Sequence, residues 1–188
     1  MSHVLVLLTG SIACYKACTV ISRLVQAGVT VQTAATPAAL QFVGTATLEG
    51  LSGRPVFTDV LAPGRALDHI ELARAADLAL VCPGTANTIN RLAAGLADDP
   101  VGTLFLAWEL GKKPWWIAPA MNHWMWRHPA TVASIEKLKS WGVHVIEPAV
   151  GPQACGEFGP GRLAEPEQIV ADVLKTLGMR IDQQQSSP

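Results

Sequence analysis

The sequence predicts an α/β fold: a single-domain, Rossmann-like, doubly wound parallel sheet covered by helices on both faces, a three-layer sandwich. Three observations lead there. Short apolar runs alternate along the chain with stretches of helical spacing, the pattern of a parallel sheet with crossover helices. The runs stop at Gly, Pro or hydroxyl residues that open the next helix. At 188 residues, the length suits one domain with a substantial core.

Residues 3–9 (HVLVLLT) are the first strand, ending at Gly10-Ser11. In the helical stretch that follows, Ile12, Val20, Leu24 and Val25 can share an apolar face, and Gly28 ends it. Residues 29–35 are the second strand, and Thr36-Pro37 lead into a helical stretch through Leu51. Residues 77–82 (DLALVC) are the third strand, followed by Pro83-Gly84-Thr85 and a helix over 86–94. Residues 101–110 continue helical, and 114–118 (PWWIA) are the fourth strand. A helix over 131–141, a fifth strand over 143–146 and a closing helix over 165–177 complete the order. Right-handed crossovers then give the doubly wound architecture. Residues 1–179 form the domain; residues 180–188, which include QQQSSP, are polar, of low complexity and expected to be disordered.

Composition narrows the function. A net charge of −1 gives no electrostatic reason for a nucleic-acid or anionic-membrane partner. The hydrophobic share is 49%, yet no apolar run approaches the roughly 20 residues of a membrane span. Only 15% of residues are charged, against a usual share of about 25%, so a second copy of the chain is expected to cover apolar surface. Cys14, Cys18, Cys82 and Cys155 match neither a disulfide framework nor a zinc pattern. His123 and His128 are five apart, the wrong spacing for one helical face, and no metal site is expected. Unpaired thiols and the lack of a visible export signal predict a cytoplasmic protein.

Ligands of such folds bind at the carboxyl ends of the strands. Three strand ends carry small or hydroxylated residues ahead of helices: Thr9-Gly10-Ser11, Thr36-Pro37-Ala38 and Gly84-Thr85-Ala86-Asn87-Thr88. Free N–H groups and the positive dipole end of a helix suit a phosphate there. Each site taken singly reads as ordinary Ser/Thr capping; all three on one sheet edge point to a nucleotide. Neither the dinucleotide glycine fingerprint nor a P-loop is present, which counts against a conventional dinucleotide or ATP site and keeps a mononucleotide with one phosphate open.

The motifs go further. TGSIACYK (residues 9–16), DHIEL (68–72), PGTANTINRLAAGLADD (83–99), APAMNHWMW (118–126) and ACGEFGPGRLAEP (154–166) lie in one order over nearly the whole chain. On these the chain resembles the flavin-dependent cysteine decarboxylases, most closely the branch that converts 4'-phosphopantothenoylcysteine to 4'-phosphopantetheine in coenzyme A biosynthesis. The resemblance implies FMN bound between the subunits of a homotrimer, with trimers often assembled into a dodecamer. It implies that Gly10, Ser11, Ile12, Thr36 and Ala38 line the flavin phosphate or ring, that Thr85, Ala86, Asn87 and Thr88 complete the site, and that Ala120 lies beside the ring.

Three residues carry the implied chemistry, in which FMN oxidises a cysteinyl side chain, CO2 leaves, and the enethiolate is protonated and reduced. His69 matches the family's active-site histidine, and imidazole has a pKa near operating pH. Asn122 matches the asparagine that binds the substrate carboxylate, to which its amide can donate. Cys155 matches the acid that protonates the enethiolate; an ordinary thiol, with a pKa of about 8.5, is largely protonated at neutral pH. Gly151, Gly156, Gly159 and Gly161 around it indicate a mobile flap over the substrate, in which Ala154 and Leu163 would also meet it.

The sequence departs from the family pattern at Thr85, where Ser is common, at Asp99, where Asn is common, and at Leu163, where Met is frequent. No synthetase domain of the kind often fused to bacterial decarboxylases is read in these residues, so coupling of cysteine is expected to come from elsewhere. The rival readings are a peptidyl-cysteine decarboxylase of peptide natural-product biosynthesis, a flavin prenyltransferase, and a non-catalytic flavoprotein regulatory subunit that binds a phosphatase. The flap cysteine disfavours the prenyltransferase. The lack of a long acidic tail and the retention of His69, Asn122 and Cys155 disfavour the regulatory subunit.

Overall fold

A computed structural model describes residues 2–179; the expectation of a disordered tail over 180–188 lies outside the described residues. Five parallel strands form the central sheet: β1 (His3–Leu8), β2 (Thr30–Ala35), β3 (Leu78–Gly84), β4 (Trp115–Pro119) and β5 (His144–Val145). Their spatial order is β2-β1-β3-β4-β5. The chain therefore moves one way from β1 to β2, then crosses back over β1 to lay β3 on its other side. That reversal is the switch point at which open α/β sheets leave a crevice.

Strand β1 is apolar throughout because both its faces are covered. Val4, Val6 and Leu8 pack with α1 (Cys14–Gln26), α2 (Thr45–Ser52) and α8 (Pro166–Thr176) on one side of the sheet. Leu5 and Leu7 pack on the other, with residues of α3 (Asp68–Ala75), α4 (Ala86–Ala93), α5 (Pro100–Leu106) and α7 (Pro129–Ser140). The result is the expected three-layer sandwich. Register follows the twofold alternation: Val4 faces Val31 on β2 and Leu78 on β3, so equivalent faces line up across the sheet. At the centre of the second layer, fully buried Trp115 meets Phe105 and Trp108 edge-on, with ring centroids 4.9 and 5.5 Å away.

Several expected elements change shape. Ile12 does not join the buried face of α1; it precedes the helix and is 63% exposed, and Val25 stands at its outer edge. The stretch after Thr36 is broken into a 3-10 turn (Ala39–Gln41) and α2, with Gly44 between them in an extended conformation. Helix α5 stops at Leu106, and β5 pairs over two residues only. Helices α3 and α6 (His123–Arg127) were not expected from spacing: α6 has only five residues, and α3 buries only Ala73, too little apolar face for the 3.6-residue period to register. The glycine-rich stretch is an antiparallel hairpin of β6 (Ala149–Pro152) and β7 (Phe158–Arg162), with Cys155 in its turn. Its strands read AVGP and FGPGR, with none of the β-branched alternation that marks a strand in sequence.

Replacing Trp115 with Ala empties the middle of one layer, and urea denaturation is expected to show a loss of about 3–5 kcal/mol. Trp115 Nε1 is buried without a hydrogen-bond partner. Trp115→Phe is therefore expected to cost markedly less than Trp115→Ala, since it keeps an aromatic ring and removes an unsatisfied donor.

Candidate active site

The carboxyl ends of β1 and β3 are tied together by one side chain. Thr9, fully buried just past β1, donates through Oγ1 to Pro83 O at 2.6 Å and accepts from Thr85 N at 3.1 Å. Thr85 is the N-cap of α4, its Oγ1 accepting from Thr88 N at 3.3 Å. Capping at this third helical position leaves the amides of Ala86 and Asn87, at the first two, without a carbonyl one turn back. The β2 end is held beside them, with Thr36 N donating to Leu8 O and Thr36 Oγ1 accepting from Ala39 N. Gly10 fits this junction because a Cβ there would lie 2.6 Å from that of Ala38.

These loops bound a cavity of about 550 Å³ lined by Gly10, Ser11, Thr36, Ala38, Thr85, Ala86, Asn87, Thr88 and Ala120, among others. Its size lies in the range of cofactor sites, roughly 300–1,000 Å³. Its lining combines hydroxyls and the first amides of α4 with Ala120, Met121 and Met125. That combination fits a phosphate joined to a flat apolar ring. Arg91 also lines it, paired with Asp98 and lying 3.9 Å from Asp99 Oδ2. Asp99, the position that departs to an acid, caps α5 by accepting from Gly102 N at 2.8 Å.

Ser11, Ala120 and Met121 also line a second cavity of about 540 Å³, so the two are parts of one cleft. The second part brings together Ile12, Asn122, Ala154, Cys155 and Leu163, with Lys16 and Arg162 at its wall. Ile12 thus stands on this side of the cleft and does not line the first cavity. Asn122 is the N-cap of α6: its Oδ1 accepts from Met125 N at 2.9 Å, which leaves the amide nitrogen as the group able to donate into the cleft. The hairpin is fastened beside it, as Met121 N donates to Gly161 O. Lys16 and Arg162 share Glu165, each at about 3 Å, and the Lys16 hydrogen bond holds the Glu165 carboxyl below its usual range.

His69 is apart from both cavities. It lies in the first turn of α3, with Nδ1 buried and unpartnered. That helix is pinned at its far end by Lys113, whose Nζ donates to the carbonyls of Ala73, Arg74 and Ala76 at 2.5–3.1 Å. Burial holds the Lys113 ammonium below its ordinary pKa. Among the thiols, burial pushes Cys14 and Cys82 up, the marks of inert packing groups, whereas Cys155 is exposed. Sequence reasoning did not single out Glu157, Gln153 or His123, which surround Cys155. The glutamate was in view within the ACGE motif and Gln153 stands just before it, but His123 comes from a separate helix, α6.

The family model described as Flavoprotein matches residues 1–178. Mycobacterium tuberculosis "Coenzyme A biosynthesis bifunctional protein CoaBC" is 46% identical over 167 residues, which cover 89% of this chain and 39% of that protein. The chain thus spans about two fifths of the length of the curated relatives it matches. A solved PPC decarboxylase, a cysteine-to-serine mutant complexed with pantothenoylaminoethenethiol, superposes with a TM-score of 0.85 at 30% identity, covering 94% of this chain and 98% of that one. The FMN-dependent cysteine decarboxylase SpaF gives 0.79 at 28%, covering 95% and 98%. On the match over 178 residues and this shared architecture, the chain belongs to the flavoprotein family.

Proposed function

We propose that the chain is an FMN-dependent carbon–carbon lyase that decarboxylates 4'-phosphopantothenoylcysteine to 4'-phosphopantetheine, with residues 1–179 as the catalytic domain. The observation that carries this reading is the continuous cleft. A phosphate-and-ring cavity opens through Ser11, Ala120 and Met121 into a chamber where Asn122 and Cys155 meet. The 46% identity to coenzyme A biosynthesis proteins favours the small substrate over a peptide. That all four cysteines are unpaired supports a reducing, cytoplasmic setting.

When bound, FMN supplies the exchange of a hydride with the cysteinyl side chain. The chain's residues do the rest. The amides of Ala86 and Asn87, with the hydroxyls of Ser11, Thr36, Thr85 and Thr88, hold the phosphate; Gly10 and Ala38 let backbone approach it. Ala120 lies where the ring meets the substrate, since it lines both cavities. The Asn122 amide orients the substrate carboxylate without a fixed charge that would hold the anion back. Ile12, Ala154 and Leu163 wall the chamber with apolar surface and thin the water around the leaving carboxylate. Cys155 gives a proton to the enethiolate carbon once CO2 has left, and His69 takes the proton of the substrate thiol.

His69 lies outside the cleft of its own chain, which supports an assembled site in a homotrimer or a dodecamer of trimers. Ile12, Tyr15, Trp124, Val150 and Phe158, all between 63% and 73% exposed, supply apolar surface around the cleft for such contacts. Light scattering is expected to give a mass of three chains or a multiple of three; a stable monomer retaining activity would contradict this.

Purified protein is expected to be yellow and to release FMN on denaturation. Gly10→Ala forces the β1 and β2 loops apart, so the variant is expected to retain about tenfold less flavin and to lose about 1–3 kcal/mol of stability. Incubation with phosphopantothenoylcysteine is expected to yield CO2 and the reduced thiol, whereas Cys155→Ser is expected to accumulate an oxidised enethiol. Turnover of a cysteine-ending peptide alone, followed by mass spectrometry, would replace the substrate and keep the chemistry.

A further inference from the structure

A proton donor that acts once per turnover has to be reloaded, and Cys155 has a built path for that. Its thiol sits in the tight turn between β6 and β7, which is closed by Gln153 N donating to the Glu157 backbone carbonyl at 2.8 Å. Cys155 Sγ donates to Glu157 Oε2 at 3.5 Å. The same oxygen faces His123 Nδ1 at 3.4 Å, and Glu157 Oε1 accepts from Trp124 Nε1 at 3.3 Å. His123 is the first residue of α6, directly after Asn122, and its side chain is 13% exposed. Its backbone N donates to Gln153 Oε1 at 3.1 Å, and its ring rests against Trp124 with centroids 4.6 Å apart. Gly159 on β7 admits that ring, because a Cβ there would lie 2.9 Å from the His123 Cβ. Nδ1 of His123 is buried and makes no hydrogen bond among the described residues, its nearest acid being Glu157 Oε2 at 3.4 Å.

Cys155 lines the cleft, whereas Glu157 and His123 do not. The thiol thus stands between the substrate chamber and a carboxylate backed by an imidazole. We propose that Glu157, backed by His123, is the proton relay that reloads Cys155. The proposal rests on the decarboxylase reading above, and it adds two positioning residues that act through the thiol. The S–H bond of Cys155 breaks as a C–H bond forms on the enethiolate carbon, leaving a thiolate. The thiolate takes a proton from the Glu157 carboxyl, the carboxylate recovers it from N–H of the His123 imidazolium, and His123 is reprotonated by solvent. Only protons move between these groups, so no oxidant or reductant is required. Bulky Trp124 fixes one carboxylate oxygen and leaves the other to serve both neighbours.

The test uses flavin-loaded Glu157→Gln, Glu157→Asp, Glu157→Ala and His123→Asn proteins with phosphopantothenoylcysteine. Mass spectrometry resolves the enethiol from the reduced thiol, which is heavier by two hydrogen atoms. The ratio of enethiol to thiol is expected to rise about tenfold or more in Glu157→Gln, less than the roughly 10²–10⁴-fold that loss of the proton-transfer group itself costs because Cys155 remains, and to rise less in His123→Asn. Glu157→Asp is expected to return the ratio toward wild type, and added acetate to do so in Glu157→Ala. An unchanged ratio overturns the relay, as does a proportional fall of both products that acetate does not relieve, the signature of a merely structural role. Should the Glu157 variants not fold, an unchanged ratio in His123→Asn overturns it alone. Wild-type protein that releases no CO2 removes the decarboxylase reading and the relay together; wild-type turnover with unaltered variants removes only the relay.

Discussion

The cleft depends on the hydroxyl of Thr9. Fully buried at the end of β1, it donates to Pro83 O and accepts from Thr85 N, and so binds the ends of β1 and β3 at the point where the sheet reverses direction. A buried hydroxyl that gives and receives in this way has no desolvation cost left uncompensated. Moving Thr85 would also move the cap of α4, and with it the amides that open toward the cavity. The same hydroxyl thus links the packing of the sheet to the position of a loop that lines the cavity. Cys14, one turn further on, reinforces the junction by donating to Thr9 O at 3.3 Å.

A second constraint joins the sheet to the hairpin. Ala120 N donates to Gly84 O and Met121 N to Gly161 O, so the residues after β4 are stitched on one side to β3 and on the other to β7. Asn122 follows at once and caps α6. The segment carrying the Asn122 amide is therefore held between the sheet edge and the turn that carries Cys155. This explains why two residues 33 positions apart in the chain, Asn122 and Cys155, line one chamber although neither is in the sheet. It also explains how Gln153 can serve both the turn and the start of α6, with its Nε2 on Pro160 O and its Oε1 accepting from His123 N.

Much of the fold was legible in the sequence. Strands β1, β3 and β4 are buried on both faces, so their apolar runs were continuous, and their ends were marked by Gly10, Gly84 and the Pro-Ala pair at 119–120. The three strand-end loops were legible as a group, because each is marked by small and hydroxyl residues just before a helix, and the structure sets all three around one cavity. The hairpin was not. Its strands are held by Gln153, by pairing to one another and by Met121, and Pro and Gly hide that pairing from any reading of propensity. Ile12 misled because a β-branched apolar residue next to a helix reads as core, while here it is exposed and lines the second cavity.

By itself the sequence determined the layer order, the five strands of the central sheet and the residue types available at each loop, because burial on two faces and helix capping are local demands written in short stretches of chain. Only the tertiary structure decided which of those residues meet. It joined Ser11, Ala120 and Met121 into the seam of two cavities, left His69 on a helix away from both, and set Glu157 and His123 behind Cys155. The reason is physical: such contacts join segments far apart in the chain, and their geometry is fixed by how the sheet and helices pack.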